Sequence, residues 1–599
     1  MRYLRLWAVL LGWSFRRAPV LTASVLGLNL ANTAAIVGSA LAVRTAVSGA
    51  AGHSMATALV GALAAVLCFA GLTVLSDIRD NLQAVLVDKV GITEVLAGIQ
   101  KDLAGIQGLE PLEDPLVLDK ISVVLRSGGA LVAGMWAAVA ALFGVVQLAA
   151  SLSLLAAVNP WLPAFLLFAA APLWADHLAQ VRIVAGEEAT AESFRVQRHL
   201  FETLTSADSA KEIRVAGVAG QLLERTADVW DEVTRSRAEA QFGAAIRRML
   251  GWAVFTVGWL AALGLVASPG RHLSAGDLVM SMTIVSTLRQ SLQAAVSNTM
   301  HAAGARRIVE PYLWLREFTR TATPSQTRLA PPDRLEHGIT LRTVGYRYPG
   351  TGVPALEEVS AHLPAGSVVA IVGEHGSGKS TLAKLLCGFY QPDTGSVLID
   401  GVPLADLDLE RWRSRLSAAF QDFGRFETVF AEGVGIGDLP HVADREHVEA
   451  AIAAADAEAF AARLQDGLDT QLGRGLGGVD LSEGQWQKTA LARASMREEP
   501  LLLVLDEPTA SLDAPSEHEI FVGYLARARR AAERAGTVTV IVSHRFSTVA
   551  DADLILVLHE GRLVEAGSHQ ALTGLGPEGR YAELYGLQAT AYTAERRGD

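Results

Sequence analysis

Nine consecutive residues, Gly373-Glu374-His375-Gly376-Ser377-Gly378-Lys379-Ser380-Thr381, have the types and spacing of a phosphate-binding loop. An apolar run, Ser367–Val372, precedes them and a helical pattern, Thr381–Cys387, follows. Strand, glycine loop and helix start are the context such a loop requires. The glycines let backbone N–H groups turn inward around an anion, and the helix adds its free N–H groups and positive dipole end. Lys379 then reaches the β- and γ-phosphates of a nucleoside triphosphate, and the Ser380 hydroxyl ligates Mg²⁺. Further along, the apolar run Leu501–Leu505 ends in Asp506-Glu507. An acidic pair at the C-terminal end of a buried strand suits Asp506 to hold Mg²⁺ through water and Glu507 to polarise an attacking water. A third apolar run, Val540–Ser543, ends at His544; a lone strand-end histidine is more often structural, but in this order of motifs it is placed to bond the γ-phosphate. Tyr348, about twenty residues before the loop, is placed either to stack on adenine or to fill the core.

The elements that must carry these residues follow from the pattern around them. Strands and helices alternate from about Gly338 onward, which indicates an α/β domain. A stretch rich in Thr, Pro and Arg, Thr319–Arg334, separates it from a very different N-terminal half. There six apolar segments, near Val20–Val43, Met55–Leu75, Gly129–Leu152, Leu162–Leu178, Met249–Ser268 and Leu278–Met300, are each long enough to cross a bilayer. Arg2, Arg5, Arg16 and Arg17, interleaved with Trp7, Trp13 and leucines, read as an amphipathic helix on the inner membrane surface. Lysines and arginines between alternate segments place both termini in the cytoplasm. The two long inner loops, about 77–126 and 176–248, read as helix. Their breaks, Gly108–Pro115 and Lys211–Gly217, are candidate tips for touching the cytoplasmic domain. In the last apolar segment Ser286, Gln290, Gln293 and Ser297 share a helix face, with Arg289 beside it. That face, with Asn29, Asn32 and Thr33 of the first segment, is a candidate substrate path, because a charge at membrane depth usually faces a wet cavity. Interhelical hydrogen bonding is the plainer use of such side chains.

Composition agrees with this division. Half of the 599 residues are hydrophobic, 19% are charged, and the formal net charge of −12 argues against nucleic acid as a partner. The cysteines, Cys68 and Cys387, are far apart and are expected to be reduced apolar fillers. No cleavable signal peptide is evident before the first apolar run.

Between these motifs stand Gln421, the run Leu481-Ser482-Glu483-Gly484-Gln485 heading a helical pattern, and Ser511-Leu512-Asp513. With the phosphate loop, Asp506-Glu507, His544 and the tail Glu560–His569, this ordered set resembles an ATP-binding-cassette exporter half-transporter over nearly the whole chain. The resemblance implies a six-helix transmembrane domain (residues 1–320), a linker (321–336), an α/β P-loop nucleotide-binding domain (337–588) and a tail (589–599). It implies a plasma-membrane ATPase that pairs head to tail with a second half-transporter chain, identical or different. ATP would lie between the phosphate loop of one cassette and Ser482, Gly484 and Gln485 of the other. Gln421 would contact nucleotide and Mg²⁺, Asp513 would contact nucleotide, and Glu507 and His544 would be catalytic. Phe420–Phe423, Asp469–Arg474 and Gln485–Lys488 are similar to exporters of lantibiotics and related peptide natural products, so a peptide or small-molecule cargo is the leading expectation. A lipid flippase, a siderophore importer or a weakly hydrolysing membrane regulator are the alternatives. No peptidase-like segment precedes the apolar half, so leader cleavage is not expected. One position departs from the family pattern: Glu483 stands where glycine is usual, and puts a carboxylate near the expected γ-phosphate.

Overall fold

The computed structural model describes residues 2–266, 274–304, 306–322, 329–507, 514–543 and 549–595. They form two compact units: Met1–Gln100 with Val123–Trp314, and Lys101–Ser122 with Leu315–Asp599.

The first unit is helical. The described residues of the six expected apolar segments lie in helices: Pro19–Ala51, Met55–Val90, Pro115–Val158, Ala170–Ala189 with the 3₁₀ turn Leu162–Ala169 before it, Ala219–Val266, and Ala275–Gly304. Among the described residues, four stretches are long and apolar enough to cross a membrane: Pro19–Ala51, Met55–Ala104, Gly128–Val158 and Leu162–Ala189. Small residues let the first two helices touch backbone to backbone. A Cβ on Gly61 would lie 2.3 Å from the Ala46 nitrogen, and one on Gly49 2.6 Å from the Ala58 nitrogen. Close approach of this kind replaces the missing hydrophobic drive between helices in lipid. The amphipathic segment forms the helix Arg2–Arg17; Leu6 and Leu10 are buried, and Arg17 pairs with Glu94. The second candidate tip folds as the helix Ala207–Ala216 and stops at Gly217, whose φ of +66° only glycine adopts easily.

The second unit is built on β1 (Gly338–Tyr346), β2 (Leu356–Pro364), β3 (Val368–Gly373), β4 (Thr394–Ile399), β5 (Val402–Pro403), β6 (Leu416–Ala419), β7 (Leu502–Asp506), β8 (Val538–Val542), β9 (Leu554–His559) and β10 (Arg562–Gly567). Four strands form an antiparallel sheet in the order β2-β1-β4-β5, and six form a second sheet in the order β10-β9-β3-β8-β7-β6. In the six-stranded sheet β6, β7, β8, β3 and β9 are parallel. β3, β7 and β8 are buried along their whole length, as continuous apolar runs in a sheet covered on both faces must be. One apolar cluster packs β3, β8 and the helix Lys379–Leu386 around Trp412; a second surrounds Phe430, Trp486 and Tyr524. Both cysteines are free thiols, and burial pushes the Cys387 thiol up to about 12.

The first candidate tip belongs to this second unit. Leu109 N–H donates to the Phe389 carbonyl at 3.0 Å, and Tyr390 Oη donates to Glu113 at 2.6 Å. Arg413 donates to Gln107 Oε1 at 2.9 Å and to the Gln107 carbonyl. Part of the expected linker is also fastened to the sheets: Leu329 N–H donates to the Asp406 carbonyl and Leu335 N–H to the Ala535 carbonyl, each at 3.0 Å.

Candidate functional site

Register places the chemistry. Ile371 of β3 and Asp506 of β7 both lie beside Val542, and Ala419 of β6 lies beside Leu505. The carboxyl ends of four neighbouring strands therefore open on one edge, with the phosphate loop after β3, Gln421 after β6, Asp506-Glu507 at the end of β7 and Ser543 after β8. Ligands bind at such an edge in open parallel sheets.

The loop after β3 holds its shape through three glycines with φ of +153°, +78° and +98°, at Gly373, Gly376 and Gly378. A Cβ on Gly373 would meet the Leu558 carbonyl at 2.2 Å and one on Gly378 the Ala355 carbonyl at 2.6 Å, whereas Gly376 faces open space. The loop is thus packed tightly on its protein side and open on the other. Lys379 is only 7% exposed and donates to the carbonyls of Gly373 (3.0 Å) and Glu374 (2.8 Å). Its ammonium spans the loop from the inside. Burial lowers its pKa, and the charges of Glu507 and Asp506 oppose that shift. Ser380 Oγ donates to Asp506 Oδ1 at 3.2 Å, joining the loop to the end of β7. Asp506 is 2% exposed and its pKa is raised, first by burial, with the Ser380 hydrogen bond opposing. A buried carboxylate and a hydroxyl converging beside a triphosphate cradle are oxygen donors suited to Mg²⁺. Ser377 Oγ, buried within the loop, has no hydrogen-bond partner among the described residues, a second sign of a cradle built for further oxygen atoms.

Glu507 is partly buried, with φ of +49°, left-handed backbone that a glutamate adopts only under constraint. Its N–H donates to the Val542 carbonyl at 3.0 Å, which holds the turn in place. Gln421 is exposed on the same edge. Tyr348 is partly buried: its ring meets Tyr346 and Tyr390 edge-on at 5.1 and 5.5 Å, and its hydroxyl lies 3.1 Å from Thr381 Oγ1.

The Ser482–Gln485 stretch is a helix start. Ser482 caps the helix Glu483–Ala494 by accepting from Gln485 N–H, while the Gln485 side chain accepts from Ser482 N–H at 2.9 Å, a complete capping box. Ser482 and Glu483 are exposed, Gly484 and Gln485 partly so. Two arginines that the motifs did not single out sit at these loops. Arg425 pairs with Glu483 at 2.5 Å, and Arg580 pairs with Glu374. A third, Arg413, ties Gln107 to the cassette. Of the three, only Arg425 stands close to a quoted motif, two residues after Phe423.

Asp513 and His544 lie outside the described residues, as do the side chains of Arg289, Gln290, Gln293 and Ser297. Of the candidate path, Asn29 and Thr33 are buried and donate to their own helix at Val25 and Asn29; Asn32 is partly buried. Ser286 is exposed and donates to the Thr283 carbonyl at 2.8 Å.

Fold and site together define a helical membrane domain joined to an ATP-binding cassette. The chain superposes with a TM-score of 0.71 on the structure of a bacterial Atm1-family ABC exporter with ATP bound, covering 96% of this chain and 99% of that one at 24% identity. Residues 356–510 match the sequence model of the ABC transporter family. Among curated proteins, an ATP-dependent lipid A-core flippase of Pseudomonas aeruginosa is 37% identical over 318 residues, 52% of this chain and 50% of the relative. The flippase of the same name from Pseudomonas fluorescens Pf0-1 is 39% identical over 324 residues, 53% and 51% of the two chains. That of Xanthomonas campestris pv. campestris is 34% identical over 383 residues, 63% and 62%. The chain thus spans about half the length of the first of these relatives.

Proposed function

We propose that this chain is one half of an ATP-driven transporter whose cargo is an amphipathic, lipid-like molecule. The observation that carries the reading is the convergence of the Lys379 loop, Ser380-Asp506 and Glu507 on one sheet edge, in a chain with the exporter fold. On binding ATP, Lys379 exchanges its two carbonyl partners for phosphate oxygens. Ser380, Asp506 and Gln421 would hold Mg²⁺, which would supply charge neutralisation for the phosphates. Glu507 accepts a proton from the water that attacks the γ-phosphorus, and ADP leaves with the electron pair of the broken P–O bond. His544 and Asp513 are assigned to the γ-phosphate and to the nucleotide edge of this site.

A second chain completes the site by presenting its own Ser482–Gln485 helix start to that phosphate. Both termini and the cassette are cytoplasmic, and closure of two cassettes works the long inner helices. The turn 107–113, bonded to Phe389, Tyr390 and Arg413, is the point where cassette movement enters the first of them.

Cargo chemistry rests on the relatives' printed name, a flippase for lipid A-core, and is carried over only as a class: an amphiphile moved between leaflets. Peptide natural-product export is the second reading, favoured by the similarity of Phe420–Phe423 and Gln485–Lys488 to such exporters. Purified protein in proteoliposomes separates the two. A lipid cargo stimulates ATPase and shows ATP-dependent loss of a headgroup-labelled lipid from one leaflet. Stimulation by peptides with no lipid movement selects the second reading, and no ATP hydrolysis in any lipid, with or without a partner chain, rejects both. Arg289→Ala should reduce cargo-stimulated ATPase more than basal ATPase. Equal loss of both would remove the 286–297 face from the path.

A further inference from the structure

Glu483 occupies the first turn of the helix Glu483–Ala494, the end that presents free N–H groups and a positive dipole. A carboxylate there stabilises the empty helix but competes with any phosphate approaching the same end. Left alone, it would repel a γ-phosphate on a neighbouring cassette. The structure supplies an opposing charge from another segment. Arg425 donates to Glu483 Oε2 at 2.5 Å, across 58 positions of sequence, and both side chains are about half exposed.

Arg425 is aimed by the same helix. Arg493, ten residues beyond Glu483 on that helix, donates to the Gly424 carbonyl at 3.2 Å and stacks on the Phe426 ring at 4.5 Å. It also donates to the Gly433 carbonyl at 2.9 Å. Its guanidinium is largely buried, which lowers its pKa to about 10. The residues on either side of Arg425 are therefore pinned to the helix, and the residue between them is delivered to its N-terminal end.

We propose that Arg425 is the positioning residue that makes a carboxylate-bearing signature loop competent for ATP. It holds Glu483 off the phosphate path and presents a cation where the triphosphate would otherwise meet an anion. This rests on the reading that the Ser482–Gln485 helix start faces nucleotide on a second cassette. A merely structural ion pair at this exposure contributes little, and its loss would not depend on which charge remains.

The test is a double-mutant cycle on the purified full-length chain in liposomes, with ATPase as the readout. Arg425→Ala should raise the ATP concentration for half-maximal turnover about tenfold, and Arg425→Lys should restore most of it. In an E483Q or E483G background, Arg425→Ala should change that concentration by less than about twofold. The Arg425→Ala defect should also shrink by a factor of roughly three as salt is raised from about 50 to about 500 mM. Equal Arg425→Ala defects in the wild-type and E483Q backgrounds, or a defect indifferent to salt, would overturn the proposal. If Arg425→Ala misfolds, E483Q and E483G decide it: each should lower the salt sensitivity of half-maximal ATP, and unchanged sensitivity counts against the role. A wild-type chain with no ATPase would instead reject the functional reading, so the two failures are distinct.

Discussion

The phosphate loop and the Ser482–Gln485 loop are both helix starts suited to phosphate, and both carry a glutamate matched by a distant arginine. Beyond that they differ. The phosphate loop is finished within its own chain. Its cation is buried inside it, its glycines are wedged against Leu558 and Ala355, and its hydroxyl already touches Asp506. The second loop holds no cation of its own; it is an exposed, capped helix end whose carboxylate borrows Arg425. One loop is preorganised within its own chain; the other, in the function proposed above, is completed by a second cassette. The glutamates differ accordingly. Glu374 pairs with Arg580, which also holds Glu583 at 2.6 Å, whereas Glu483 pairs with Arg425 at the exposed helix start that the proposed function turns toward a nucleotide on a second cassette.

This contrast is broken or sharpened by a graded set of substitutions. The largest effect is expected from Glu507→Gln, which should still bind ATP but lose about 10²- to 10⁴-fold in turnover. Unchanged turnover in purified protein would remove the general-base assignment. Next, Lys379→Ala should weaken nucleotide binding about 100-fold, since it deletes a buried, charge-assisted donor. Ser482→Ala should leave binding to the monomeric chain within about threefold while costing about 1 kcal/mol of helix stability and most of the ATP-driven pairing. Comparable binding loss in both variants, measured with a fluorescent ATP analogue, would erase the distinction between the loops. Tyr390→Phe removes the hydrogen bond to Glu113 at 2.6 Å. It should at least halve cargo stimulation, a fraction of what a hydrogen bond to a charged acceptor supports, and leave basal ATPase in place; an equal fall in both would show that the 107–113 turn is only a packing contact. The smallest effect is expected at Arg580→Ala, whose pairs are solvent-exposed: less than about twofold in the ATP concentration for half-maximal turnover. A larger change would make the two glutamates equivalent.

Much of this site was readable before folding because its geometry is local. Gly373–Thr381 needs only the strand before it and the helix after it, and both were visible as apolar patterns. Asp506-Glu507 was readable because a buried parallel strand must end at the ligand edge. The role of Tyr348 was left open, because adenine stacking and core packing ask for the same aromatic ring. Its contacts join Tyr346, two residues before it, to Thr381 and Tyr390 from further along the chain. The tip at Gly108–Pro115 was visible as a Gly/Pro break, but nothing in that break named Phe389, Tyr390 or Arg413 as its partners.

What the order of residues determined by itself is the chemistry that repeats over short range: a triphosphate cradle, an acidic strand end, apolar helices of bilayer length and a capped helix start. Tertiary structure decided the charges that come from far away. Arg425 reaches Glu483 from a segment whose Gly424 and Phe426 are held by Arg493 of the same helix, and Arg580 reaches Glu374 from the start of the C-terminal helix. A backbone turn is dictated by neighbours a few bonds away. A Coulomb partner is dictated by whatever the fold brings within a few ångströms, and no spacing along the chain encodes that distance.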